Sequence, residues 1–398
     1  MVIQALRAGG LFDGTRARGP GMVLIRDGLI ADVDTTGAAP PEGAELVDFG
    51  MDAWIVPGLI DTHVHLVFDA GDDPVSSLEG KDDDTLLVDM RRAAGRALRA
   101  GVTTVRDLGD RSYLALTLSQ ETSYWPHMHP HIVAAGPPIT SPGGHCHFLG
   151  GEAWGHDELI AAVRERHERG CQVVKVMASG GKMTPGTFMH RPQYQTEDLR
   201  AVVDEAHRLG MTTAAHVHSA LAMAQVLDAG FDTLEHVSFY TEEGPRPTPA
   251  LVDRIIASGA TMSLTLGNMP DVPRRADLAH CLRRLYPTWA ALHRAGVPLT
   301  AGTDAGISRA KPHDVLPHAV DELAGPIAMT PVAALRAVTS VAAGACGLAG
   351  RKGCLKPGAD ADLVVIGGNP LTELAALREL RCVFRAGYSI DRISAPCW

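Results

Sequence analysis

Several things are missing from this 398-residue sequence, and each absence excludes something. There is no excess of positive charge. The 36 Lys and Arg against 46 Asp and Glu leave a formal charge of −10, which argues against the basic surface that nucleic acid requires. A local basic pocket for an anionic substrate stays open. No apolar stretch reaches the roughly 18 residues of a membrane-spanning helix. The start, MVIQALRAGGLFDG, lacks the basic segment and apolar run of a signal peptide. No CxxC spacing occurs, and seven cysteines, an odd number, read as reduced thiols rather than a disulfide framework. The expectation is a cytoplasmic protein with neither nucleic-acid nor membrane partners. Internal repeats, low-complexity segments and long flexible linkers are absent too.

What is present is an ordinary globular composition, 45% hydrophobic and 21% charged, in a chain long enough for an α/β barrel with a small accessory domain. Residues 1–54 alternate short β-like runs with turns. Val23–Ile25 and Leu29–Val33 flank Asp27-Gly28 as a hairpin. From residue 55 strands alternate with helices. The strands are expected at Ile55–Leu66, Thr103–Leu108, His131–Ala135, Val173–Ala178, Thr212–His218, Thr233–Ser238, Thr261–Leu266 and Pro298–Asp304. Apolar spacing of three and four predicts helices at Leu86–Ala100, Leu114–Glu121, Asp157–Arg169, Glu197–Leu209, Ala220–Ala229, Pro249–Ser258, Leu278–Ala295 and Pro331–Cys346. Several stop at glycine, as helices do.

Eight strands alternating with eight helices predict a (β/α)8 TIM barrel over 55–355. An open doubly wound sheet would normally carry a phosphate-type glycine loop after its first strand, and none follows here. Past residue 356, Leu363–Ile366 and the run near Val383–Phe384 are β-like again. Both ends, 1–54 and 356–398, are therefore expected to meet in one β-sandwich. The long βα loops over 136–156, 179–195 and 267–278 are where substrate specificity is expected.

Residues two apart on a strand share a face, so His63 and His65 can aim two imidazoles at one point. Neutral imidazole is a common zinc ligand, and such a pair needs further ligands to close a site. In a barrel, the C-terminal strand ends converge on the mouth. The fourth strand offers Lys175, the fifth His216 and His218, the sixth Glu235 and His236, and the eighth ends at Asp304. Each has a bland reading. Either histidine of a pair can be a satisfied core residue, and Asp304 can serve a turn. Lys175 can snorkel, but among Val173, Val174, Val176 and Met177 it must lose its hydration or find a partner. Reaction with CO2 to an anionic carbamate resolves that. His127, His129 and His131 also alternate, but at the entry of the third strand, opposite the mouth. His145 follows two glycines in a loop and is either solvated or able to reach over the mouth. Lys182, Arg191 and Tyr240 lie in βα loops and are either solvated or able to clamp a substrate carboxylate.

The ordered motifs VPGLIDTHVHL, VVKVMASGG, AAHVHS, TLEHVS and AGTDAG, with GLFDG near the start and LKPGADADLVVIGGNP near the end, resemble the amidohydrolase superfamily along nearly the whole chain. The resemblance implies a barrel beside a β-sandwich and two divalent metal ions, usually Zn2+. His63 and His65 would hold the more buried metal, and His216 and His236 the more exposed one. Carboxylated Lys175 would bridge them, and Asp304 would bind the buried metal and handle protons. The chain looks most like the branch of imidazolonepropionase-related proteins and zinc dipeptidases or carboxypeptidases, on the strength of VKVMASGG and SPGGHCH. Imidazolonepropionase lacks a bridging lysine, which disfavours that activity. Dipeptidase relatives often carry tyrosine where this chain has His218.

The reading that follows is a binuclear metal-dependent hydrolase of an amide bond in a dipeptide, N-acyl amino acid or related carboxamide. Metal-generated hydroxide would attack the carbonyl, with Asp304 as base then acid and His145 or His218 helping to hold the oxyanion. Hydrolysis of a cyclic amide, carbamate, urea or ester is the alternative. A heterocycle deaminase and a metal-free scaffold are further ones. The partner expected is a small-molecule amide, and association into a homo-oligomer is open.

Overall fold

The apolar run expected as one strand over Ile55–Leu66 is two strands, Ala53–Pro57 and Leu59–Val64 (β1). Pro57 has no N–H for a ladder. Gly58 donates its own N–H to Asp362 O at 2.8 Å. A Cβ at 58 would lie 2.0 Å from Thr103 Oγ1, so only glycine lets the chain pass there. Ala53–Pro57 pairs with terminal strands, antiparallel to Leu363–Gly367 and parallel to Gly10–Phe12. His65 consequently sits just beyond the end of β1.

The structure is a computed structural model and describes residues 3–390; of the terminal unit expected over 1–54 and 356–398, residues 1–2 and 391–398 lie outside it. After β1 come Val102–Asp107 (β2), His131–Ala134 (β3), Val173–Met177 (β4), Thr212–Ser219 (β5), Thr233–Thr241 (β6), Thr261–Thr265 (β7) and Leu299–Gly302 (β8). They form two parallel sheets, β3-β2-β1 and β4-β5-β6-β7-β8. Backbone hydrogen bonds link the sheet edges. Asp304 N donates to His63 O at 2.7 Å and His65 N to Ala305 O at 2.9 Å. Ile139 N donates to Lys175 O at 2.8 Å, and Met177 N returns to Ile139 O at 2.8 Å.

Helices follow the strands, with apolar faces inward. Ala220–Ala229 and Pro249–Ser258 have the bounds that capping chemistry predicts. Ser219 and Thr248 accept the first free N–H groups, and Gly230 and Gly259 end them in the left-handed region. The helix expected over Pro331–Cys346 is two, Pro331–Ala337 and Ser340–Ala345. Its break has a cause: Val338 O accepts from Ile60 N of β1 at 2.9 Å. Two helices, Pro74–Glu79 and Leu316–Ala324, escape the sequence reading.

The chain ends form two more sheets. One orders Leu29–Asp34, Gly21–Arg26, Gln4–Ala8 and Glu45–Asp48. The hairpin turn is as expected, with Asp27 and Gly28 both at positive φ. The other sheet has six strands from both ends, Ala53–Pro57 and Leu363–Gly367 among them. Leu6, Ile25 and Ile30 of the first sheet share a buried cluster with Leu11, Ile55 and Phe384 of the second. Where this unit meets the parallel strands, buried Lys352 pairs with Asp360 at 2.8 Å and Asp362 at 2.5 Å. Among the described residues no helix is long and apolar enough to cross a membrane.

Candidate metal centre

The residues singled out at the C-terminal strand ends face one region, and of the loop residues Arg191 does not. His63 and His65 lie at the end of β1, Lys175 within β4, His216 and His218 on β5, His236 on β6, and Asp304 two residues past β8. His236 and Asp304 take φ of 70° and 60°, left-handed conformations costly for residues with a Cβ, of the kind that gather at functional sites. Two groups result. His63, His65 and Asp304 bring ligand atoms within 4.8 Å of one another, and so do His216, His218 and His236. His218 thus stands in ligand range, beside the pair expected to bind metal. The rings of His63 and His236 come within 5.2 Å, and Lys175 Nζ lies 3.5 Å from His63 Nε2.

Hydrogen-bond partners assign the tautomers. His63 Nδ1 faces Glu235 Oε2 at 2.9 Å, and His65 Nδ1 faces the carbonyl of Gly109 at 2.9 Å. Both Nδ1 atoms therefore carry the proton, and both Nε2 atoms carry lone pairs. These lone pairs face each other at 3.3 Å, with Asp304 Oδ1 at 3.6 and 3.5 Å. Three acceptors pointed at one space repel one another unless a cation lies among them. In the second group His216 Nε2 donates to Gly180 O at 3.3 Å, which leaves its Nδ1 as a lone pair 2.9 Å from His236 Nε2. This donor set fits divalent cations.

Burial dominates the titration here. It holds His63, His216 and His236 well below the usual histidine range. It takes His145 and His218 to about 3 and brings the Lys175 amine down to about 8. These five imidazoles are neutral at neutral pH, the form that ligates.

A cavity of about 270 Å3 opens over both groups, and His145, Lys182, His218 and Tyr240 line it with them. Lys182 is engaged by Asp277 at 3.3 Å and Tyr240 Oη by Cys281 Sγ at 3.1 Å. His145 is buried, its ring 4.7 Å from that of His216, and its Nδ1 finds no partner among the described residues. Gly181 makes room for it: a Cβ there would meet His145 Nε2 at 2.3 Å. Arg191 lies elsewhere. Its guanidinium stacks over Phe188 at 4.7 Å in a separate groove with Trp154, so it is not placed to clamp a substrate in this cavity. His129 and His131 are at the start of β3, where burial holds them near 4 and 3. The ring of His127 contacts Tyr388 of the terminal sheet.

Sequence reading missed the support beneath. Arg106, fully buried on β2, donates to Glu235 Oε1 at 2.8 Å. Asp107 accepts from Gly109 N at 3.1 Å and so fixes the carbonyl that holds His65. Lys311 Nζ donates to Thr303 O at 2.7 Å and Thr265 O at 3.1 Å, joining the ends of β8 and β7. Arg106 stands beside Asp107 in the mixed run TTVRDL, a weaker signal than Lys175 among valines.

Residues 54–388 match the Amidohydrolase family. This chain belongs to the amidohydrolase family. It is similar to ochratoxinase from Aspergillus niger, 28% identical over 363 residues that cover 83% of this chain and 73% of the ochratoxinase. Among solved structures it resembles a Xaa-Pro dipeptidase with methionine in the active site, with TM-score 0.83 and 24% identity over 97% of this chain and 99% of the other. It also resembles phenylurea hydrolase B, with TM-score 0.85 and 24% identity over 98% and 97%. The family member described here has a TIM-barrel-like α/β fold and is a hydrolase of carbon–nitrogen bonds.

Proposed function

We propose that this amidohydrolase cleaves an amide bond, in a dipeptide, an N-acyl amino acid or a related carboxamide, at a centre for two divalent cations. The observation that carries the reading is the convergence of two three-ligand groups and buried Lys175 under one cavity. His63, His65 and Asp304 would hold one cation, and His216 and His236, with His218 beside them, the other. Zn2+ suits the nitrogen-rich sets. Lys175, as a neutral amine, can add to CO2 and release a proton, and the anionic carbamate so formed would complete the ligand set. When bound, such cations would lower the pKa of a water molecule and polarise the scissile carbonyl. Asp304 takes the proton from the attacking water and delivers it to the leaving nitrogen. His145 and His218, neutral and facing the cavity, orient the carbonyl oxygen. Around the centre, we read the two parallel sheets as one closed eight-stranded barrel. We read the terminal sheets, described over 3–57 and up to 390, as the β-sandwich expected from both chain ends, its first boundary moved from 54 to Gly58 by the pairing of Ala53–Pro57.

A neutral carbamate or urea is the second reading. It is favoured by the apolar wall of Leu278, Leu282, Leu285 and Trp289, and by Arg274, which at the cavity rim is already paired with Glu322 at 2.5 Å.

Amine release from dipeptides, N-acyl amino acids, carbamates and ureas by zinc-loaded protein tests both. Amide cleavage by wild type, reduced at least about a thousandfold in Asp304→Asn with metal retained, is expected from loss of the proton carrier. An Asp304→Asn protein of undiminished turnover would refute the role of Asp304. Cleavage confined to carbamates or ureas would transfer the assignment to the second reading.

A further inference from the structure

We propose that Glu235, itself held by Arg106, is the positioning residue that fixes His63 as its Nδ1–H tautomer and so turns the Nε2 lone pair toward the metal. The inference rests on the reading of His63 as a ligand, but the tautomer is a property of the protein alone.

Both carboxylate oxygens of Glu235 are spoken for. Oε2 accepts from His63 Nδ1 at 2.9 Å, and Oε1 accepts from Arg106 Nη2 at 2.8 Å. Glu235 and Arg106 are both fully buried. Arg106 is in turn over-determined. Its Nε donates to Thr62 O at 2.7 Å, and its Nη1 to Ala345 O at 3.0 Å and Thr233 Oγ1 at 3.2 Å. One guanidinium thus grips the backbone just before His63, the strand that carries Glu235, and the last helix. A carboxylate so placed has no freedom to turn, and it offers His63 an acceptor and nothing else. The imidazole must present Nδ1–H to it. Burying an ion pair loses hydration that mutual attraction seldom restores, and apolar side chains of similar volume would fill the same space at no such cost. Ion pairing by itself is therefore a weak reason for these two charges to be buried here. An outer carboxylate that orients a ligating imidazole is what the site needs there.

The amide isostere separates this role from packing. In Glu235→Gln the single carbonyl oxygen can satisfy Arg106 or His63, but not both. With Arg106 in place the oxygen stays on the guanidinium, and the NH2 turns to His63. The imidazole must then accept at Nδ1 and carry its proton on Nε2, where it blocks the metal. In Glu235→Gln/Arg106→Met the oxygen is free to turn back to His63, which restores the original tautomer.

Two measurements test this. Nitrogen-15 spectra of histidine-labelled, metal-free protein, with the His63 signals assigned by their loss in His63→Gln, should show protonated Nδ1 in wild type and protonated Nε2 in Glu235→Gln. Competition for Zn2+ against a chromophoric chelator should show affinity about ten- to a hundredfold weaker in Glu235→Gln. The double variant should recover most of it while melting lower. A protonated Nε2 on His63 in wild type would overturn the inference even if no variant folds. Zinc held equally by wild type and Glu235→Gln would overturn it alone. A wild type that takes up no zinc would overturn the metal reading and this inference with it.

Discussion

A lysine amine shut away from water between valines has few chemical options. Lys175 is fully buried, and burial brings it down to about 8, so a substantial fraction is neutral near physiological pH and able to add to CO2. Lys175→Ala should lose most bound metal, measured by elemental analysis, and recover part of it with acetate or propionate, whose carboxylate fits the vacated space. Full metal content without Lys175 would exclude a bridging role. The strand-end residues His63, His65, Lys175, His216, His236 and Asp304 were legible as a set, because each alone also has a bland reading and only their recurrence at successive strand ends points to one site. Arg106 was not. A buried arginine is explained only by its acceptors, and Glu235, Thr62 and Ala345 are remote in sequence. Arg191 is the converse. It stands in a βα loop, as expected of a clamp, but its orientation depends on the ring of Phe188.

Elements were legible where their ends are marked by local chemistry. Ser219 and Gly230 bracket one helix, and Thr248 and Gly259 another. Ends set by distant contacts were not. Pro57-Gly58 is a local breaker signal inside the apolar run, but the reason for glycine, the close approach of Thr103, is not local. The kink at Val338 exists because β1 takes its carbonyl. The same dependence governs the loops over the cavity, where Gly181 in one loop makes room for His145 in another. Gly181→Ala should push His145 aside and lower kcat/KM at least about tenfold, the scale at which small misplacements act, with metal content unchanged. Unaltered kinetics in that variant would remove His145 from the reaction.

For the whole molecule, buried neutral histidines make stability sensitive to acid. His129 and His131, far from the cavity, are held near 4 and 3, chiefly by burial, against about 6.5 in an unfolded chain. A base whose folded value is depressed contributes its full stability above the unfolded value. As pH falls below about 6.5 the unfolded state takes up the proton first, and stability drops by up to about 1.4 kcal/mol per pH unit for each histidine until the folded protein protonates too. The denaturant midpoint should therefore fall between pH 6.5 and 4, and His129→Gln/His131→Gln should flatten that fall. An equally steep decline in the double variant would remove these two residues as the cause. The sheet built from both chain ends has its own consequence during synthesis. Ala53–Pro57 emerges from the ribosome early, but its antiparallel neighbour Leu363–Gly367 is made about 300 residues later. Translation runs at about 5–20 residues per second, so that strand edge stays open for tens of seconds while the parallel strands assemble beside it. The nascent chain is most exposed to mispairing at the segment that leads directly into His63.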